Sequence, residues 1–189
     1  MKIVHIAGSP RKKGNSMQIA ERILTMAQEK GARILNYHLN SMSYKGCQGC
    51  YSCKGKTDRC VLKDDLTGLL DNLYDTDVFI VSSPVYFGEI TGQLKTAFDR
   101  FFSFAKPDYI TNPDPCRLPR GKKLVYIQTQ GADQEQYKDL SEKYVTYFTL
   151  FGCDETHTIR ACGAVNPADT KAMDAIMHKA DEIAEKIMS

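Results

Sequence analysis

Short apolar segments alternate with longer segments of helical periodicity along this 189-residue chain. Lys2–Ala7 is apolar and contains β-branched residues, which is typical of a buried strand. Apolar residues then recur on one helical face between residues 15 and 30, and Gly31 follows at a position that suits the end of a helix. A second strand is predicted over residues 33–39. The chain therefore begins with a strand–helix–strand unit.

The same alternation continues to the end of the chain. A helix is predicted after the acidic pair Asp64 and Asp65, where four leucines share one face. The last helix is marked by Asn166 as its N-cap and Pro167 at its first position. Between them, strands are predicted over residues 77–83, 123–130 and 155–161, and helices over residues 94–101 and 134–150.

Five strand-then-helix units predict an α/β protein with a parallel sheet between two layers of helices. The expected fold is flavodoxin-like, a three-layer doubly wound sheet of five strands in the order 2-1-3-4-5. Residues 1–189 are expected to form a single domain with a Cys-rich insertion at 45–62 and a Pro-rich loop at 103–120. A loop of that length usually forms a lid, a binding loop or a subunit contact. Ligands of such sheets bind beyond the carboxyl ends of the strands, which directs attention to the loops after strands one, three and four.

Composition narrows the class of protein. A formal net charge of +2 is too small to indicate a nucleic acid or an anionic membrane surface as partner. No apolar segment approaches the roughly eighteen residues that a membrane span needs, and the N-terminus resembles a strand rather than a signal peptide. A cytoplasmic location is therefore expected. In that reducing compartment, closely spaced cysteines are more often metal ligands or redox-active thiols than structural disulfides.

The first of the three loops has the residues needed to bind a phosphate monoester. Gly8 allows a tight turn, Ser9, Asn15 and Ser16 supply polar side chains, and Arg11 supplies charge at the N-terminus of the first helix. The glycine spacing fits neither a Walker loop nor a dinucleotide-binding G-x-G-x-x-G motif. The alternative is a polar turn whose basic residues only contact solvent.

The second and third loops have features that suit a flat heterocycle. Pro84 and Val85 lead into Tyr86 and Phe87, whose rings offer apolar faces, and Gly88 allows a ligand to approach the backbone. Plain core packing is the alternative for the two aromatic residues, but both are expected beyond the end of the third strand. Thr129 and Gly131, after the fourth strand, are placed to contact the same ligand.

Four of the seven cysteines lie within fourteen positions, with the spacing C-x2-C-x2-C-x6-C. Thiolates at two-residue gaps can hold three corners of an iron–sulfur cubane, and the longer gap lets the fourth cysteine return as the last ligand. Zinc, a disulfide formed on oxidation and no metal at all remain as alternatives. The basic residues Lys54, Lys56 and Arg59 are expected to form a solvated rim. The four cysteines are Cys47, Cys50, Cys53 and Cys60.

Three motifs together resemble a known family. "GSPRKKGNS", "CQGCYSCKGKTDRCVLKDD" and "SSPVYFGEITGQLKTAFDR" are similar to motifs of the NAD(P)H-dependent FMN reductases of the flavodoxin-like superfamily, and in particular to their iron–sulfur flavoprotein branch. The resemblance implies non-covalently bound FMN and a homodimer or homotetramer. It further implies that the phosphate is held by Ser9, Arg11, Asn15 and Ser16 and that the isoalloxazine ring is lined by Pro84, Tyr86, Phe87 and Gly88.

The expected function is that of an FMN-dependent oxidoreductase. It would take hydride from NAD(P)H and pass electrons to a quinone, a flavin, a metal centre or a protein, with a [4Fe-4S] cluster as relay. The flavin carries this chemistry, so no side chain is named as catalytic. Two alternatives stand beside it. One is a non-enzymatic flavodoxin-type electron carrier, which the mildly basic, Trp-free composition disfavours, and the other is an interaction module built on a zinc knuckle.

Overall fold

The computed structural model of this chain describes residues 1–163 and 170–189, and within these residues six strands form the centre of the molecule. Five of them pair in parallel in the order β2-β1-β3-β5-β6, and β4 pairs antiparallel with the end of β3. The predicted α/β fold with a parallel sheet is therefore confirmed. The strands are β1 (Lys2–Ala7), β2 (Arg33–His38), β3 (Val78–Tyr86), β4 (Glu89–Ile90), β5 (Lys122–Thr129) and β6 (Cys153–Ala161).

Helices follow the strands as the periodicity predicts, with one addition, the single-turn helix α2 in the cysteine segment. The predicted cap residues Asn166 and Pro167 of the last helix lie outside the described residues. None of the helices in the described part of the chain is long and apolar enough to cross a membrane. The helices are α1 (Asn15–Glu29), α2 (Ser52–Gly55), α3 (Leu66–Asn72), α4 (Gly92–Asp99), α5 (Lys138–Leu150) and α6 (Thr170–Met188).

Two apolar cores lie on the two faces of the sheet, as the side-chain alternation of β3 illustrates. Val78 and Ile80 face a core built with α1 and α6, whereas Phe79 and Val81 face a core built with α3, α4 and α5. All four side chains are at most 1% exposed. Burial of each such side chain stabilises the fold by roughly 1.5–3 kcal/mol, which fixes the sheet and hence the loops at its carboxyl edge.

The prediction of five strands in the order 2-1-3-4-5 did not include β4, and it ended the third strand at Ser83. In the structure β3 continues through Pro84 to Tyr86 and turns back into β4. The two residues of the turn, Phe87 and Gly88, both have positive φ, +51° and +75°. Such two-residue hairpin turns usually carry Asn-Gly. The Phe-Gly pair lacks this signal, so the sequence does not predict the hairpin.

The Cys-rich segment and the Pro-rich loop pack against each other. Arg117 donates from a terminal nitrogen to the carbonyl of Cys53 across 3.0 Å, and Lys54 donates to the carbonyl of Ala105 across 2.6 Å. A backbone bridge between Ala105 and Cys116 closes the base of the loop. In the described chain, the Pro-rich loop thus supports the cysteine segment.

Candidate functional site

A cleft of about 180 Å³ opens at the carboxyl ends of β1, β3 and β5. Because these strands are parallel neighbours, the loops that follow them meet at one edge of the sheet. The structure therefore brings the three predicted loops together. The cleft is lined by Ser9, Arg11, Gly14, Asn15, Ser16, Pro84, Val85, Tyr86, Thr129, Gln130 and Gly131.

The start of the first loop is fixed by the neighbouring strand and helix. The Gly8 amide donates to the Ser82 carbonyl across 2.8 Å, and the Gly8 carbonyl accepts from the Thr91 hydroxyl across 2.7 Å. A Cβ atom on Gly8 would lie 2.9 Å from Cβ of Leu94, closer than real contacts allow. Only glycine therefore fits at this position without a shift of α4.

The rest of the first loop forms a tight turn at the N-terminus of α1. The Ser9 hydroxyl accepts from the Arg11 amide and donates to the Arg11 carbonyl, both across 3.1 Å. Gly14 caps α1 without a side-chain hydrogen bond to the helix. Gly14, Asn15 and Ser16 therefore bring the N-terminus of α1, the positive end of the helix dipole, to the edge of the cleft.

Most of the predicted flavin residues line the cleft, whereas Phe87 and Gly88 lie outside its described lining. The hairpin turn carries Phe87 away from the cleft and leaves its side chain fully exposed. A Cβ on Gly88 would face the Tyr137 ring instead. Tyr86, expected in a loop, is the last residue of β3 and lines the cleft while 43% exposed.

Two lining residues, Gly14 and Gln130, were missed. Gln130 is 4% exposed and donates to the carbonyls of Asp133 and Gln136 across 2.7 and 2.8 Å, which fixes the third loop. Its position next to Thr129 and Gly131 was the one available signal, because glutamine has no specific preference for such sites. Gly14 lies within the predicted first loop, where only the spacing of the glycines enters the prediction.

A second site gathers the cysteine motif. Cys47, Cys50, Cys53 and Cys60 all line one small cavity, whose walls also include Arg100 and other residues. Cys47 and Cys50 are exposed, and Cys53 and Cys60 are partly buried. All seven cysteines of the chain are free thiols in this structure. The spacing therefore brings the four thiols to the wall of one cavity, as expected from the sequence.

Arg100 is the main charged residue of this second site, and nothing in the sequence motif marks it. Its side chain is buried and donates to the Cys60 sulfur across 3.0 Å, to an Asp64 carboxylate oxygen across 2.8 Å and to the Leu62 carbonyl across 3.2 Å. Burial acts to raise the pKa of Asp64, but hydrogen bonds from Arg100 and the Lys45 amide outweigh it and hold that pKa below its usual value. The guanidinium therefore ties Cys60 to a buried ion pair.

Lys54 also belongs to this site rather than to a solvated rim. Its ammonium lies 3.9 Å from the centre of the Phe102 ring and donates to the carbonyls of Phe102 and Ala105. Burial lowers the pKa of Lys54, and the charge of nearby Cys53 opposes that shift. At the exposed end of the motif, hydrogen bonds from the backbone and side chain of Ser52 lower the pKa of Cys50.

The four thiols suit an iron–sulfur cluster in number and in chemistry, and two cations, Lys54 and Arg100, lie beside them. No three His, Cys, Asp or Glu residues in the described ranges are arranged to hold a single metal ion. A cubane binds each cysteine to a different iron, so it does not require the tight convergence of a single zinc ion.

The fold and the cleft together define a flavodoxin-like α/β protein with a polar cleft at the carboxyl ends of its central strands. Comparison with known proteins makes this more specific, because the family model described as NADPH-dependent FMN reductase matches residues 1–145. An iron–sulfur flavoprotein of Archaeoglobus fulgidus is 33% identical over 151 residues, which cover 79% of this chain and 72% of that protein. The chain belongs to the NADPH-dependent FMN reductase family, in its iron–sulfur flavoprotein branch.

Other similarities are consistent with this assignment. Another iron–sulfur flavoprotein of Archaeoglobus fulgidus is 36% identical over 104 residues, covering 55% of this chain and 47% of the relative. The chain spans about half the length of this and several other curated relatives that it matches. A solved NAD(P)H:quinone oxidoreductase from Methanothermobacter marburgensis superposes with a TM-score of 0.77 at 14% identity, covering 100% of this chain and 98% of that one, which shows a shared fold.

Proposed function

We propose that this protein is an FMN-dependent oxidoreductase that takes hydride from NAD(P)H and passes the electrons to a second acceptor. The observation that carries the proposal is the cleft at the carboxyl edge of the sheet, which the first loop lines with Ser9, Arg11, Gly14, Asn15 and Ser16 at the start of α1. A phosphate monoester suits this set of donors. Family membership supports FMN as the molecule that supplies it.

Within the cleft, each loop has a part in holding FMN. Ser9, Arg11, Asn15 and Ser16 would hold the phosphate, together with the amides at the start of α1. Pro84, Val85 and Tyr86 would face the flavin ring from β3. Thr129, the last residue of β5, and Gly131, in the loop that follows, would contact it from the other side of the cleft. FMN supplies hydride acceptance when bound, and the chain's residues orient it and exclude water.

The proposed acceptor class is a quinone, as in the name of the Methanothermobacter marburgensis protein. In that reaction NAD(P)H and one proton reduce the quinone to a hydroquinone, and NAD(P)⁺ is released. We further propose that Cys47, Cys50, Cys53 and Cys60 hold a [4Fe-4S] cluster. Such a cluster supplies single-electron exchange with other centres. The names of the curated relatives and the shared cavity of the four thiols support this assignment.

A homodimer or homotetramer is proposed as the working form. Sites that enclose a cofactor-sized ligand usually have volumes of about 300–1,000 Å³, whereas this cleft has about 180 Å³. Part of a bound flavin would therefore extend beyond the cleft. Next to it, Tyr86 is half exposed and Phe87 fully exposed, so the hairpin presents two adjacent aromatic side chains at the surface. A second subunit over this hairpin would cover both.

The reducing cytoplasm is proposed as the location of the protein, because its seven cysteines are free thiols.

Anaerobic purification with an absorption spectrum, an iron assay and a titration with NAD(P)H tests the proposal. We expect about one FMN per chain, bleached by NADH or NADPH, and about four irons per chain. Protein that neither carries nor takes up FMN contradicts the proposal. Bound flavin that neither nucleotide bleaches would select the electron carrier instead, and one zinc per chain without flavin would select the zinc-knuckle module.

The cluster has its own matched pair of variants. Cys60→Ser removes a thiol of the cysteine cavity, and Cys162→Ser removes a half-buried thiol elsewhere. We expect iron content to fall in the first variant alone, with FMN content unchanged in both. Equal iron content in both variants would contradict the assignment of the four cysteines while leaving the flavin assignment intact.

A further inference from the structure

A separate cavity of about 330 Å³ lies beside the cysteine site, and neither the flavin nor the cluster accounts for it. Its lining includes Arg59, Cys60, Lys63, Asp71, Tyr74 and Phe104. Cys60 also lines the cavity of the four cysteines, so the two spaces share this residue. We propose that the separate cavity binds a planar aromatic anion.

The walls of this cavity indicate the aromatic part of the ligand. Leu70 and Phe104 are buried, and they meet the half-buried Tyr74 at the edge of the apolar core that is built with α3, α4 and α5. The Tyr74 and Phe104 rings pack edge to face, with centroids 5.6 Å apart. A volume of about 330 Å³ is within the usual range for small-molecule sites.

The charged residues of the lining indicate the anionic part. The Arg59 guanidinium lies 4.1 Å from the centre of the Tyr74 ring and pairs with Asp71 across 2.8 Å. Lys63 also lines the cavity, and no ion pair joins it to an acidic residue within residues 1–163 and 170–189. Two cations thus face one carboxylate.

Tyr74 does not oppose an anion. Burial is the main cause that raises the pKa of its phenol, so the group stays neutral near pH 7. The phenol donates to the Asp58 carbonyl across 3.4 Å, which directs its oxygen toward the protein backbone. An aromatic ring can therefore pack against the wall while its acidic substituent lies near Lys63 and Arg59.

The position of the cavity suggests its use. A molecule bound there would contact Cys60, one of the four residues proposed to hold the cluster. An acceptor such as a quinone with an acidic substituent would then lie next to the redox centre without entering the flavin cleft. This use depends on the proposed function, whereas binding itself depends only on the geometry of the cavity.

Binding of anthraquinone-2-sulfonate to the full chain, saturated with FMN and followed by isothermal titration calorimetry, tests the inference. We expect one site per chain and a loss of affinity of about fivefold in Lys63→Gln, the effect typical of one partly exposed charge. Lys56→Gln, which removes an exposed charge of the same segment outside the described lining, is the matched control and should change affinity less than twofold. Equal effects of the two variants would overturn the inference, as would competition between the probe and FMN.

Two further measurements locate the probe and define its class. In metal-free protein, bound probe should slow iodoacetamide alkylation of Cys60 but not of Cys50, because Cys60 alone of the two lines both cavities. Equal protection of both thiols would instead place the probe among the four cysteines and overturn the assignment. The neutral analogue 2-(hydroxymethyl)anthraquinone should bind several-fold more weakly, and equal affinity would overturn the anionic part. Neither result requires flavin or cluster activity, so failure here is distinct from failure of the proposed function.

Discussion

Nε of Arg100 donates to the sulfur of Cys60 across 3.0 Å, although the two residues are 40 positions apart in the chain. Arg100 directly follows α4, at the start of the turn Arg100–Phe104, and its side chain also pairs with Asp64. The last cysteine of the motif is therefore held by a residue of the folded core and not only by its own segment. This contact gives the cysteine site a fixed edge before any metal is bound.

Replacement of Arg100 by glutamine should lower the free energy of unfolding by about 3 kcal/mol. The loss is large because the change leaves the Asp64 carboxylate without its charged partner in a mostly buried position. Urea unfolding of the metal-free protein measures it. Lys95→Gln is the control, since it breaks an exposed pair with Asp99 one turn earlier and should cost no more than about 0.5 kcal/mol. Similar losses in the two variants would show that the buried pair contributes no more to the free energy of unfolding than the exposed pair.

The order of helices and strands could be predicted because apolar residues recur at a regular spacing on the side of each element that faces a core. In β3, for example, the buried run from Val78 to Val81 is apolar on both faces, which distinguishes a central parallel strand. The hairpin to β4 could not be predicted in the same way. Its turn depends on two positive φ values at Phe87 and Gly88, and a phenylalanine in that conformation has no sequence signature.

The candidate sites could be predicted where their residues lie close together in the sequence. The first loop places Ser9, Arg11, Asn15 and Ser16 within eight residues, and the cysteine spacing places the thiols in one segment. Arg100 and the cavity beside Cys60 were not predictable, because they depend on contacts between segments far apart in the chain. No sequence motif marks these residues, and only the packing of the folded chain brings them together.

Gly8→Ala should destabilise the protein and weaken FMN binding together. The added Cβ would lie 2.9 Å from Cβ of Leu94 and 3.1 Å from the Ser82 carbonyl oxygen, so the first loop or α4 must shift. Overpacking of this kind typically costs about 1–3 kcal/mol. Gly92→Ala, in the first turn of α4 with no atom within 4 Å of its added Cβ, should leave stability unchanged or slightly increased. Thermal unfolding and FMN titration of both variants provide the measurements, and an FMN affinity equally unchanged in both would refute the expectation.

Arg11→Gln should weaken FMN binding about fivefold and leave riboflavin binding unchanged, because riboflavin lacks the phosphate that the first loop is proposed to hold. Lys12→Gln removes a neighbouring exposed charge outside the described lining of the cleft and should have less effect. Flavin fluorescence quenching on titration gives both dissociation constants. If Arg11→Gln weakened riboflavin as much as FMN, the arginine would act on the ring or the fold and not on the phosphate.

The buried His5 should make stability fall in mild acid. Its Nε2 lies 2.8 Å from the Ser82 hydroxyl, and burial lowers the pKa of the imidazole to about 4. In the unfolded chain the imidazole takes up a proton near pH 6.5, whereas in the folded chain it does so only near pH 4. The unfolded state therefore gains protons first, and stability present above pH 6.5 is lost as the pH falls toward 4, by about 3 kcal/mol in total.

His5→Gln keeps a group that can hydrogen-bond to Ser82 but removes the titration. Urea unfolding between pH 7 and pH 4.5 should therefore show a smaller loss of stability in this variant than in the natural chain, whatever its stability at pH 7. His178→Gln, which removes an exposed histidine of α6, should keep the full loss. If the profiles of the His5 variant and the natural chain remained parallel over this range, the imidazole would have to be protonated in the folded state, and its burial against Ser82 would not govern its charge.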